Sequence, residues 1–115
     1  MKKSIAVVLF VLLGAAVSFA ANRTFTGQIM DAPCAKMGNH DAGYKMTGTH
    51  TPKDCTLACM RAGAKLVLYN AKTKTVYQLD NQNESKSYAG ENVKVIGTYN
   101  RSTRTIHVEK IEPAG

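Results

Sequence analysis

The sequence predicts a mainly β chain with one helix, closing as a small five-stranded barrel. Five short segments alternate apolar and polar residues with the period of a strand, and one segment carries a capped helical pattern. The length of 115 residues allows one domain, two at most. These three observations exclude a large enzyme barrel and a multi-domain machine.

The first strand is Arg23 to Asp31, where Phe25, Gly27 and Ile29 share one side and Thr24, Thr26 and Gln28 the other. Periodicity then stops. From Ala32 to His50 the chain carries Pro33, three glycines, Asn39 and two histidines, and it reads as one long irregular loop that needs an anchor to offset its ordering entropy. Thr51-Pro52-Lys53-Asp54 opens the helix: Thr51 is a capping residue and Pro52 takes the first helical position, where a missing N–H costs nothing. The helix is expected to run to about Ala62 and stop at Gly63. Cys55, Ala58, Cys59 and Ala62 fall on one narrow face of it.

Lys65 to Tyr69 and Lys74 to Leu79 read as the second and third strands, joined by a turn at Asn70-Ala71-Lys72. A polar link from Asp80 to Lys86 follows, and Tyr88-Ala89-Gly90 is placed to plug one end of a core. Val93, Val95, Gly97 and Tyr99 define the fourth strand, and Ile106 with Val108 the fifth. Ile111 falls out of phase with that pair, which predicts a bulge. Closing five short strands removes exposed edges, so the economical architecture is a barrel of the oligonucleotide/oligosaccharide-binding (OB-like) type.

Fifteen of the first twenty residues are apolar. Lys2 and Lys3 precede the run from Ile5 to Val17, and Ser18-Phe19-Ala20 supplies small residues where a signal peptidase reads. The run is short for a hydrocarbon core roughly 30 Å thick. The expected organisation is therefore a signal peptide over residues 1–20 and a single domain over 21–115, exported to the periplasm or secreted, with no stable membrane span after cleavage. The chain carries a net charge of +7, and removal of the two leader lysines leaves +5. Export and the dispersal of the basic residues argue against nucleic acid as the partner.

The chemistry-bearing residues are concentrated in and after the loop. Cys34, Cys55 and Cys59 are the whole thiol inventory. In an exported domain two of them are expected to pair. A bridge from Cys34 to Cys55 or to Cys59 stabilises by ~3 to 3.5 kcal/mol in the chain-entropy account, against about 2 for Cys55 with Cys59. The longer bridge also fastens the loop to the helix, and it leaves one thiol over. With His40 or His50, the three thiols instead make a Cys3His set of the kind that holds zinc, and the thioethers of Met37, Met46 and Met60 add soft donors suited to copper(I). A thiol redox role is the alternative, with Cys55 near a helix start, although the usual two-residue spacing is absent. Asp31, Asp41 and Asp54 lie near the two histidines, but no serine sits in the loop to complete a hydrolytic set. His107 beside Glu109 reads as a solvated pair.

Three stretches carry a family likeness: Gly27-Gln-Ile-Met-Asp31-Ala-Pro-Cys34, Cys55-Thr-Leu-Ala-Cys59-Met-Arg-Ala-Gly63-Ala, and Tyr88-Ala-Gly90-Glu-Asn-Val-Lys-Val-Ile-Gly97 with Thr105-Ile-His-Val108. From Phe25 to Pro113 the chain resembles a family of small exported bacterial domains of unknown function, similar to periplasmic OB-shaped barrels. The resemblance implies a secreted barrel that keeps the Cys34, Cys55 and Cys59 set, and it implies no reaction. The function expected is a non-enzymatic binding module whose Cys/His-rich loop is its working edge, with a small ligand, a metal ion or an envelope protein as partner. A thiol-disulfide redox protein and a purely structural or partner-binding domain are the alternatives.

Overall fold

The computed structural model describes residues 21–115. The expected signal peptide lies outside the described residues. Five strands are present: β1 (Arg23–Asp31), β2 (Leu66–Asn70), β3 (Thr75–Leu79), β4 (Asn92–Asn100) and β5 (Thr105–Pro113). Their hydrogen-bonded order is β1-β2-β3-β5-β4, and β4 returns to β1, so the sheet closes into a ring with no free edge. Only β3 with β5 is parallel; the other pairs are antiparallel.

The alternation read from the sequence fills the ring. Phe25 and Ile29 from β1, Leu66 and Leu68 from β2, Val93 and Val95 from β4 and Ile106, Val108 and Ile111 from β5 pack together inside it. Ile111 reaches the interior because the β4–β5 register shifts: Ile96 pairs with Lys110 but Gly97 with Val108, which leaves Glu109 as the extra residue of a bulge. Gly97 faces the His107 carbonyl so closely that no side chain fits there.

The expectation of a single helix is corrected. Four short helices are present among the described residues: α1 (Ala32–Met37), α2 (Asp41–Thr47), α3 (Pro52–Arg61) and α4 (Gln82–Lys86). The stretch from Ala32 to His50 is thus not an irregular loop. Asp31 caps α1, its Oδ2 accepting the Cys34 N–H at 3.0 Å, and Gly38 ends it in the left-handed conformation. Gly48 ends α2 in the same way. Helices of six and seven residues are too brief to display a 3.6-residue period, so the punctuation is their only trace in the sequence. α3 matches its expectation, with Thr51 Oγ1 accepting the Asp54 N–H at 3.1 Å.

α1, α2 and α3 lie consecutively between β1 and β2 and pack on the outside of the ring. There Met30 and Val67, which sit next to interior residues in their strands, join Cys34, Ala35 and Cys55 in a second apolar cluster. No helix among the described residues is long and apolar enough to cross a membrane.

Candidate metal centre

The second apolar cluster encloses polar atoms. Asp31, the last residue of β1, is completely buried. One carboxylate oxygen is satisfied by the Cys34 N–H, while Oδ1 has no hydrogen-bond partner among the described residues. Burying a carboxylate with an unpartnered oxygen is costly unless a cation or a donor completes it.

Three sulfurs surround that carboxylate. α1 presents Cys34, buried one turn from Asp31, and α3 presents Cys55, completely buried, with Cys59 one turn further on and half-buried. A carboxylate oxygen of Asp31 and the Sγ atoms of Cys34, Cys55 and Cys59 all lie within 4.8 Å of one another. α2 closes over them through Gly43, where an added Cβ would stand 2.6 Å from Cys55 Sγ and 2.7 Å from Cys34 Sγ. Only a residue without a side chain lets this helix approach.

Burial pushes the Cys34 thiol well up, and the hydrogen bond and charge of Asp31 add to the effect. Burial and the same carboxylate charge bring Cys59 up to about 11. Without a cation these two cysteines are neutral thiols at neutral pH. A bound cation would supply positive charge beside the carboxylate and favour the thiolate form of the sulfurs that ligate it.

Tetrahedral zinc binds sulfur at ~2.3 Å and oxygen at ~2.0 to 2.2 Å, which puts its donors about 3.3 to 3.8 Å apart. The four donor atoms lie within 4.8 Å of one another, so reaching that range needs a shift of no more than about 1 Å in any pair. Three sulfurs and one oxygen thus make a donor set for a four-coordinate thiophilic ion.

The three cysteines come together as the sequence suggested, but the fourth donor differs. His40 is buried, stacked on Tyr44 with ring centroids 5.7 Å apart, and its Nε2 lies 3.3 Å from Gln28 Oε1. Burial lowers its pKa against the opposing charges of Asp31 and Asp41. His50 is exposed between α2 and α3. Neither histidine belongs to the four-residue group, and Asp31 takes the place assigned to them. The bridge expected from Cys34 to Cys55 or Cys59 is not formed here; all three are free thiols. The signal for Asp31 was local: an aspartate three residues before a cysteine, with proline between them, is a helix cap that turns both side chains the same way.

A groove of about 620 Å³ opens beside the cluster between α1, α2 and the end of α3. Asp31, Cys34 and Cys59 line its inner wall, and the exposed Met37 and Met46 line its mouth. Cys55 does not line the groove.

No family model, no curated protein and no solved structure matches this chain. The functional reading therefore stands on the geometry of the site.

Proposed function

We propose that this protein is an exported, non-enzymatic OB-like module that binds one thiophilic metal ion, zinc or copper(I), through Asp31, Cys34, Cys55 and Cys59. The observation that carries the proposal is the buried, unpartnered Oδ1 of Asp31 within 4.8 Å of three free thiols. The α1 cap uses only Oδ2 of Asp31, and a four-coordinate cation would use the oxygen that the cap leaves over. The OB-like assignment is supported by the ring order β1-β2-β3-β5-β4 with its parallel β3–β5 pair. Export is supported by the basic, apolar and small-residue succession of residues 1–20.

A thiol redox enzyme needs an accessible cysteine with a depressed pKa. Cys34 and Cys59 are pushed the opposite way, and Cys55 is fully buried, which weighs against that alternative.

Native mass spectrometry of the reduced protein in the presence of zinc, and separately of copper(I), tests the proposal. The expected result is one retained ion and three cysteines protected from alkylation, with C55S abolishing both. An ion-free chain with three alkylated cysteines would overturn it. The mature mass serves export in the same experiment: a chain beginning at Ala21 is expected from a periplasmic preparation.

A further inference from the structure

Met37 and Met46 are the only large apolar side chains that stand exposed among the described residues, at 65% and 87%. Both lie at the mouth of the groove that Cys34 and Cys59 line from within. Met30 and Met60, by contrast, pack into the two apolar clusters. Exposed apolar side chains of this size oppose solubility and need a reason to be retained.

We infer that Met37 and Met46 form an outer thioether station that takes a soft monovalent cation, copper(I), before it passes to Asp31, Cys34, Cys55 and Cys59. The inference rests on the metal-binding reading above and commits it to one class of ion. Thioether sulfur is a soft, uncharged donor that selects copper(I) and is a poor ligand for zinc. The electrostatics of the mouth point the same way. Exposed Lys36 lines the groove with the two methionines and exposed Lys45 precedes Met46 in the chain, while the one carboxylate lining the groove, Asp31, is completely buried. Lys36 repels a divalent ion twice as strongly as a monovalent one at the same distance. No exposed carboxylate lines the groove to attract a hard ion in compensation. A soft monovalent ion thus meets a favourable donor pair at the entrance and stronger sulfur donors further in.

The test uses the reduced protein with 13C-labelled methionine methyl groups and silver(I) as a redox-inert probe for copper(I). One equivalent of silver is expected to protect the cysteines from alkylation. A second should move the methyl signals of Met37 and Met46 while those of Met30 and Met60 stay in place. The M37L/M46L variant keeps the apolar bulk and should lose the second equivalent while retaining the first, and zinc should move neither exposed methyl. Silver that protects the thiols but leaves both exposed methyl signals unmoved overturns the outer station and leaves the inner site standing. Silver and zinc that both protect no thiol overturn the metal-binding reading itself. Equal methyl shifts with zinc and silver report movement of α1 and α2 rather than thioether coordination, and they too overturn the outer station.

Discussion

Gly43 rests against Cys55, so close that a methyl group on its Cα would stand 2.6 Å from the sulfur. In an ordinary helix, glycine to alanine stabilises by about 1 kcal/mol. Here the sign should reverse. G43A drives a methyl into two sulfurs at once and is expected to destabilise the metal-free protein by about 1 to 3 kcal/mol, the usual cost of overpacking. Urea denaturation of the two proteins measures it, and a stabilised variant would show that α2 does not rest on the thiols.

Asp31 combines two roles that substitution separates. As the cap of α1 it is replaceable by asparagine within a few tenths of a kcal/mol, whereas alanine costs about 0.5 to 2. As a ligand it is replaceable by neither. D31N is therefore expected to leave the thermal stability of the metal-free protein nearly unchanged, or raise it by removing a buried charge, while weakening metal retention in competition with a chelator. Equal retention by D31N and the unsubstituted protein would remove Asp31 from the ligand set.

Metal uptake should release protons. Burial and Asp31 hold Cys34 and Cys59 as thiols at pH 7, with Cys59 brought up to about 11, and each must lose its proton to bind. Zinc added to weakly buffered protein with a pH indicator is expected to acidify the solution by at least two protons per ion bound. Affinity measured by competition should fall as the pH is lowered from 8 to 6. A pH-independent affinity would mean that the sulfurs are not the donors.

Outside the cysteine cluster, His107 pairs through Nδ1 with Asp80, and its Nε2 lies 3.4 Å from Glu109. The bond to Asp80 raises the histidine pKa. The stability this contributes is fully present below the unfolded value near 6.5 and is lost as pH rises through the higher folded value. Asp80 behaves in the mirror sense. Its partial burial raises its pKa, but the Val108 N–H and His107 outweigh that and lower it, so its contribution disappears as pH falls through the folded value. H107Q should flatten the loss of thermal stability on the alkaline side of neutrality. Because the histidine side chain is 64% exposed, the difference should shrink in high salt.

The ring was legible because strands with one buried face write their pattern at every second residue. Phe25 with Ile29, Val93 with Val95 and Ile106 with Val108 all turn inward as their spacing indicated, and the phase slip at Ile111 marked a true register shift. The site was legible only in its sulfurs. α1 and α2 are too short to carry a period; in the sequence Asp31 reads as the end of the first strand, and Gly38 and Gly48 as glycines of a loop. His40 and His50 drew attention because imidazole is a common ligand. Whether a side chain meets the sulfurs depends on how three helices stack, and no spacing rule within one segment contains that information. The spacing of Asp31 and Cys34 is local, but their meeting with Cys55 and Cys59 depends on β1 ending where α3 packs, 24 and 28 positions further along the chain.

Asp31 and Leu66 are direct partners across the β1–β2 ladder, and every cysteine falls between them in the chain. The whole sulfur-bearing segment is therefore one excursion that leaves and re-enters the sheet at adjacent points. A short hairpin turn in its place would leave every strand pair of the ring intact. If the proposed metal binding holds, the whole candidate donor set is carried by this single excursion, and the junction between Asp31 and Leu66 is the place to graft other ligand sets onto the same scaffold.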